Sequence, residues 1–486
     1  MIIPIDMTTS DGYRKFLAVK QLPTYRFIGR TAEVPDEYAD RLGAAPEVSG
    51  SCGEYRPISG LFDYQRDIAA LAIRKRKFAI FAECGLGKTL ILLEWARHVR
   101  AQLPADRSIL IVSPLMVVHQ TLAEADRFYG DSLPIQRIAA RDLPRWMEEG
   151  SGIGITNYDA LTGRVPQGRI GALVLDESSM LKSHYGKWGQ ECLRLGAGLN
   201  WKLALTGTPA PNDRIEYGNH AVFLDAFPTI NAFLARYFVN RGQTAERWEL
   251  KPHALRPFYR SLSHWCIFLS NPATYGWRDN VGSIPPIRVH IHDINLGEKL
   301  EAEARAMTGT LFANHIGGIT SRTKLARLAK GEGSPKPTII RDMVASWPEE
   351  STLIWCRHND EQDRLEQVMP EALSITGSTP IAKRADMIAR FQRGEVKILI
   401  SKPKILGFGL NLQIATRQIF SGLQDSYEEF HQAVKRSNRV GSTRPLNVHI
   451  PVADVERPMV ETVLRKAARI QADTEAQEEI FKNARV

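Results

Sequence analysis

Phe78-Ala79-Ile80-Phe81-Ala82-Glu83-Cys84-Gly85-Leu86-Gly87-Lys88-Thr89 passes from an apolar run through a glycine-containing turn into Leu90-Ile91-Leu92-Leu93-Glu94-Trp95. The run 78–81 suits a buried parallel strand, and the segment after Lys88 suits a helix packed on it. Glycines at 85 and 87 let the backbone fold tightly, so that successive N–H groups face an anion at the helix N-terminus. Lys88 can then reach the β- and γ-phosphates of a nucleotide, and the Thr89 hydroxyl can ligate magnesium. The usual G-x-x-x-x-G-K-T pattern opens with Gly, whereas Ala82 stands here. A ligand-free glycine turn is the commonplace alternative, and the strand and helix on either side weigh against it.

Hydrolysis of a bound phosphate needs a second acidic site. Ala172-Leu173-Val174-Leu175-Asp176-Glu177 supplies one, four strand-like apolar residues ending in two acids. Asp176 is placed to hold the magnesium shell, and Glu177 to orient and deprotonate the attacking water. Acids at strand ends are common turn residues; their pairing with the phosphate loop gives this one its weight.

Around these two segments, Ile109–Val112, Ile153–Ile155 and Leu203–Leu205 also look like buried parallel strands. After a Gly- and Pro-containing stretch at 330–337 the alternation resumes at Thr352–Cys356, Ala372–Ile375, Val396–Ile400, Gln418–Phe420 and Val448–Ile450. The expected fold is α/β, with two parallel-sheet lobes and a helical insertion between them. The expected limits are an irregular N-terminal lead-in at 1–58, a first, nucleotide-binding lobe at 59–213, the insertion at 214–330 and a second lobe at 331–486. Aromatic residues crowd the segment 217–268; they could be base-stacking platforms, but core of a helical insertion is the better expectation.

Composition sets the outer bounds. With 486 residues, 43% hydrophobic and 24% charged, the chain has the makings of several globular domains and little long disorder. No apolar run approaches the about 20 residues of a membrane span, and the first residues lack a secretory pattern. Cysteines 52, 84, 192, 266 and 356 are too far apart for a C-x-x-C clip, which fits a reducing compartment, and the 12 histidines show no metal-binding spacing. The net charge of +9 is compatible with a polyanionic partner without requiring one.

Taken in order, these elements resemble the superfamily-two helicases, and within them the Swi/Snf-like ATPases, over about 59–225 and 320–460. Phe62-Asp63-Tyr64-Gln65 resembles the element whose Gln reads adenine. Ser113-Pro114 and Asn157, and in the second half Ser378 and Lys402, fall in segments similar to those that touch the nucleic-acid backbone; Lys182 follows the acidic pair where the family often places such a contact. Leu205-Thr206-Gly207-Thr208-Pro209 resembles the segment coupling hydrolysis to lobe movement, and Gly407-Phe408-Gly409-Leu410 a glycine-rich loop with a related role. Gln432 through Gly441, with Arg436 and Arg439, resembles the motif carrying arginine fingers. Three residues apart, the two arginines would share a face of a helix, although a solvated basic face is common in a chain of this charge.

The resemblance implies two RecA-like lobes, ATP and Mg2+ as cofactors, and nucleic acid as partner, with duplex DNA favoured. It departs at Asp176-Glu177-Ser178-Ser179, where the family usually carries Ala or Gly and then His, and Ser401-Lys402-Pro403-Lys404 is more basic than usual. A basic run, Arg322, Lys324, Arg327, Lys330 and Lys336, lines either a nucleic-acid face or a solvated helix. The expected activity is an ATP-dependent motor that translocates on duplex DNA, in the cytoplasm of a bacterial or phage-infected cell. The alternatives are a strand-separating DNA or RNA helicase, and a nucleotide-gated clamp that recruits a protein partner.

Overall fold

The computed structural model describes residues 2–22, 25–34, 38–43, 53–162, 165–182, 186–242, 247–278, 284–298, 300, 302–303, 329, 333–406, 410–423, 426–439 and 441–484. The chain divides into two compact units, Met1–Asn280 with Ala472–Val486, and Val281–Gln471.

The first unit holds a seven-stranded, wholly parallel sheet made of β4 (Lys77–Ala82), β5 (Ser108–Ser113), β6 (Ile135–Arg137), β7 (Ile153–Asn157), β8 (Ile170–Asp176), β9 (Trp201–Thr206) and β12 (Cys266–Leu269). The spatial order is β12-β4-β9-β8-β5-β7-β6. The central strands are apolar on both faces because helices cover both, and β5 and β9 are buried at every residue. β4 and β8 are neighbours of β9, so the phosphate loop and the acidic pair emerge at one carboxyl edge.

The aromatics between 217 and 268 are core, as expected. Phe223, Phe227, Phe233, Phe258, Tyr259, Trp265 and Phe268 are all buried, in one cluster with Phe481. The segment is not simply a helical insertion, however. Its end, β12, is an edge strand of the first sheet, and β13 (Ile287–Asp293) belongs to the second.

Residues 1–43 also depart from expectation, because they are not an irregular lead-in. β1 (Ile2–Pro4), β2 (Arg26–Ile28) and β3 (Thr31–Glu33) form an antiparallel sheet in the order β1-β3-β2, with the helix Ser10–Lys20 packed on it. Ile3, Ile5, Val19, Leu22, Ala32, Val34 and Tyr38 give this module its own small core. A two-stranded ribbon, β10 (Phe238–Asn240) and β11 (Trp248–Leu250), lies further along the chain.

The second unit repeats the parallel plan with β13, β14 (Thr352–Trp355), β15 (Leu373–Ile375), β16 (Ile398–Ser401), β17 (Arg417–Phe420) and β18 (Leu446–Val452). Their order is β13-β18-β17-β14-β16-β15. Its core contains Leu353, Trp355, Leu399, Phe420, Val448 and, from the last helix, Val460 and Val463. The unit therefore begins before β13, well ahead of the limit at 331 suggested by the linker composition.

Candidate active site

The phosphate loop takes the conformation its glycines allow. Gly85 and Gly87 have φ of +89° and +69°, in the left-handed region, and Gly87 caps the helix Lys88–Gln102. A Cβ on Gly87 would lie 2.2 Å from Gln65 Nε2, so that amide would have to move, and the positive φ adds strain for any residue but glycine. Ala82 needs no such freedom: it ends β4, buried, and its carbonyl accepts a 2.8 Å hydrogen bond from Lys88 Nζ. Thr89 is the second residue of the same helix. Gln65 is buried at the start of the helix Asp63–Lys75. Its Oε1 accepts from Phe62 N at 3.0 Å, and its Nε2 faces the carbonyl of Leu86 in the loop at 3.5 Å.

Asp176 and Glu177 stand beside the loop at the end of β8. Asp176 is buried and accepts from Ser113 Oγ at 2.9 Å and from Glu177 N at 3.0 Å. Burial, with the neighbouring Glu177 carboxylate, holds its carboxyl well above the usual carboxylate range. Burial works against the Lys88 ammonium, but Cys84, Glu177, Glu83 and Asp176 hold it above its ordinary value. Two adjacent acids at the edge of the phosphate loop, one of them buried and pushed toward its neutral form, fit a divalent cation. Thr89 and Asp176 would hold magnesium, which when bound with the nucleotide supplies charge neutralisation of the phosphates.

Glu177 itself is held with some strain. Its φ of +48° and ψ of +51° are left-handed for a residue with a Cβ, a conformation that costs about 1–3 kcal/mol. Several contacts fix it. Thr206 Oγ1 donates to Glu177 Oε2 at 3.2 Å and accepts from Thr208 N at 3.1 Å, so the Thr206-Gly207-Thr208 segment is tied directly to the acid. Gly207 faces the loop: a Cβ there would lie 3.3 Å from the Ala82 carbonyl and 3.6 Å from Lys88 Nζ. Tyr158 OH donates to the Asp176 carbonyl at 2.8 Å. The departure at 178–179 now has a physical account. Ser178 Oγ lies 2.9 Å from His220 Nε2, both fully buried, and Ser179 Oγ reaches back to the Glu177 carbonyl at 3.4 Å. An imidazole is thus supplied to the acidic turn from the helix Tyr217–Phe223. Burial pulls His220 down to about 4, so it is neutral near pH 7.

Some expected nucleic-acid contacts are placed otherwise. Ser113 is fully buried on Asp176, and Pro114 is buried as the cap of the helix Leu115–Tyr129, so neither presents a surface to a strand. Asn157 spends its Oδ1 on Ala160 N at 2.9 Å. Lys182 is half-buried at the end of the turn Ser178–Leu181, its charge felt by Glu216. In the second unit, Ser378 is exposed, with its hydroxyl 2.9 Å from Thr376 Oγ1. Lys402 donates to Asn359 Oδ1 and, with Arg357, His358 and Lys404, lines a cleft of about 320 Å³ at the carboxyl edge of β14, β16 and β17. Lys336 does not belong to a basic face: it is buried, 2.5 Å from Glu456 and 2.6 Å from the Ser421 carbonyl. Arg322, Lys324, Arg327, Lys330 and Gly409 lie outside the described residues.

The arginine motif needs a correction. Gln432 is on the helix Tyr427–Val434, but Arg436 and Arg439 follow its end and share no helical face. Gln418 Nε2 stops the helix by donating to the Ala433 carbonyl at 3.1 Å, with Ser437 Oγ at 2.7 Å. Arg436 is buried. Arg439 is half-buried, with one guanidinium nitrogen on the Leu410 carbonyl at 3.1 Å.

Sequence reasoning missed Ser113 as a partner of Asp176, and also His220 and Glu94. Glu94 is fully buried and accepts from Tyr55 OH (2.7 Å), Tyr129 OH (2.9 Å), Ile58 N (3.3 Å) and Arg97 Nε (2.9 Å), which anchors the segment leading to Gln65. The one signal was an acid inside the apolar run 90–95.

Two parallel-sheet lobes, the first ending in a phosphate loop beside an acidic pair, make a nucleic-acid-dependent ATPase of the helicase type, an ATP-driven nucleic-acid motor. Residues 69–252 match the SNF2-related domain, and residues 335–441 match the helicase conserved C-terminal domain. Protein p41 of Acyrthosiphon pisum secondary endosymbiont phage 1 is 23% identical over 80% of this chain and 92% of its own length. YwqA of Bacillus subtilis, named for an ATP-dependent helicase or translocase, is 23% identical over 76% of this chain and 43% of its own. The SWI2/SNF2 ATPase core of Sulfolobus solfataricus, solved in complex with dsDNA, is 20% identical, covering 89% of this chain and 99% of that one at a TM-score of 0.42. The chain belongs to the Swi/Snf-like branch of the superfamily-two helicases. It spans nearly all of the phage relative but under half of the Bacillus one.

Proposed function

We propose that this motor tracks along duplex DNA without separating its strands. Lys88, Thr89 and the loop amides hold the triphosphate, and Gln65 reads adenine. Glu177 takes the proton of the water that attacks the γ-phosphorus, as ADP leaves. Arg436 and Arg439, with Gln432 beside them, stabilise the charge that develops on the transferred phosphoryl group. Thr206 and Thr208, bonded to Glu177, carry the state of the nucleotide into the rest of the lobe, with Gly409 in a related role on the second lobe. Asn157, Lys182, Ser378 and Lys402 remain as candidate contacts to the strand. Among the described residues no helix is long and apolar enough to cross a membrane.

The observation that carries the duplex reading is the burial of the aromatic cluster. Holding separated strands calls for exposed rings on which bases stack, and the rings between 217 and 268 that could do so are packed in core. What remains is grip on phosphates, which is indifferent to sequence and needs no open strand. The Bacillus relative's name, which includes translocase, agrees. Duplex DNA should therefore stimulate ATP hydrolysis more than an equal mass of single strand or RNA. A third strand on a triplex should be displaced only with ATP, while a tailed duplex stays annealed. Separation of the tailed duplex without triplex displacement would favour the helicase alternative.

A further inference from the structure

The first unit contains a second cleft, of about 660 Å³, between the N-terminal module and the helices Ile230–Tyr237 and Leu255–Leu262. Gln21 and Arg41 line it from the module, and Arg236, Arg256 and Arg260 from the helices. All four arginines are exposed, and no ion pair is recorded for any of them among the described residues. Several other arginines of the chain do pair with a carboxylate, as in Arg97–Glu94, Arg194–Glu191, Arg214–Asp473 and Arg444–Glu350.

The positive field is felt by its neighbours. Arg41 is held below its ordinary value first by partial burial, which Tyr38 opposes, and to a smaller degree by Arg260. His264 is pulled down to about 3 by burial, then by Arg41, Lys75 and Arg260. Arg256 and Arg260 are also four apart on one helix, where like charges oppose each other. Mutually repelling guanidinium groups around an open cleft lower their energy when an anion enters. The planar fork of each matches two oxygens of a phosphate better than an ammonium would. Arg41, Arg256 and Arg260 lie outside the residues matched by the SNF2-related domain, whereas Arg236 lies inside them, so most of the guanidinium groups of the cleft come from outside that match.

We propose that this cleft binds the phosphodiester backbone of the nucleic acid on which the motor works, as an anchor separate from the motif residues at the sheet edges. The proposal rests on the reading of the chain as a nucleic-acid motor. It gives the N-terminal module a purpose: the module contributes one wall and the fourth guanidinium.

The test uses the full chain and the variant Arg256→Gln/Arg260→Gln, which keeps the side-chain stems and touches exposed positions. Binding of a labelled duplex is followed by anisotropy over a series of salt concentrations, with ATP hydrolysis in the absence of DNA as the control for folding. The variant should bind duplex at least about tenfold more weakly at low salt. Its plot of log affinity against log salt should be shallower by about one to two, since each lost phosphate contact removes about 0.9 from the slope. DNA-free hydrolysis should be unchanged. Equal affinity and equal slope in the two proteins overturn the proposal. Failure of the wild type to bind duplex, single strand or RNA overturns the motor reading instead. Calorimetry with inorganic tripolyphosphate separates the sources: uptake of tripolyphosphate that the variant loses, with duplex affinity intact, means the cleft takes a free oligophosphate and refutes the backbone assignment.

Discussion

The pair Ser178–His220 should govern turnover through Glu177, and a double-mutant cycle measures it. The two groups are fully buried and 2.9 Å apart. Ser178→Ala leaves a buried imidazole nitrogen without its partner, and His220→Leu leaves a buried hydroxyl without one; each costs about 1–3 kcal/mol. Replacing both together removes both polar groups, so the double variant should be more stable than the sum of the singles by about 1–2 kcal/mol. The effect on rate follows from the backbone. Glu177 sits at φ +48°, and relief of that strain becomes possible once the next residue loses its tether. A carboxylate displaced by about 1 Å from its place beside Thr206 costs up to about 10² in rate. The single variants should therefore lose about ten- to a hundredfold in kcat, with KM for ATP little changed because Lys88 and the loop are untouched. Thermal unfolding reports the stabilities, and steady-state hydrolysis at saturating nucleic acid reports the rates. Additive stabilities, together with wild-type kcat in both single variants, would refute the tethering role.

Glu177→Gln should bind ATP almost as the wild type does yet lose at least about 10² in turnover, because the amide keeps the shape but accepts no proton, whereas Lys88→Ala should weaken ATP binding itself; isothermal binding and single-turnover hydrolysis separate the two, and near-normal turnover in the Glu177 variant would remove it from the chemistry. Stability should fall on the acid side. His220 is pulled from 6.5 to about 4 in the folded chain, so the unfolded chain binds a proton near 6.5 that the folded chain refuses until about 4. Stability is then lost as pH drops across that window, by up to about 3 kcal/mol for this residue, and His264 and His449 act in the same sense. The melting temperature should be lower near pH 5 than near pH 7, with a smaller difference in His220→Leu; identical pH profiles for the two proteins would contradict the assignment.

The parts of the fold that were legible in the sequence are those where a strand is buried on both faces. β4, β5, β7, β8 and β9 read as continuous apolar runs because helices cover the sheet twice, and the same holds for β14, β16, β17 and β18. Edge strands fared less evenly: β15 was legible, whereas β12 and β13 escaped. β13 alternates perfectly, Ile287-Arg288-Val289-His290-Ile291-His292, but inside out: Ile287, Val289 and Ile291 are exposed while His290 and His292 stack on His449. Alternation gives the period of a strand and leaves open which face is inward. β12 was hidden by its surroundings, since its Phe268 belongs to the same aromatic cluster as the helices before it. The N-terminal sheet has strands of only three residues each, too short for any periodic signal, and it exists by virtue of its tertiary core.

The candidate site divides along the same line. A phosphate loop is contiguous, so its chemistry and its geometry are written in one stretch of chain. Glu94, Ser113 and His220 hold Tyr55, Asp176 and Ser178 from 39, 63 and 42 residues away, and nothing local distinguishes them from ordinary core or cap residues. The two arginines show how spacing alone can suggest a wrong geometry. Spacing by three implies a shared helical face only while the helix continues, and here a side chain from β17, Gln418, claims the carbonyl of Ala433 and the hydroxyl of Ser437 and ends it. The guanidinium groups are consequently placed by a turn braced on the sheet: the Arg436 carbonyl accepts from Leu412 N at 2.9 Å, and Arg439 is tied to the Leu410 carbonyl. A turn held at several points fixes a side chain more firmly than a fraying helix end would, and that rigidity is what a group acting on transition-state charge requires.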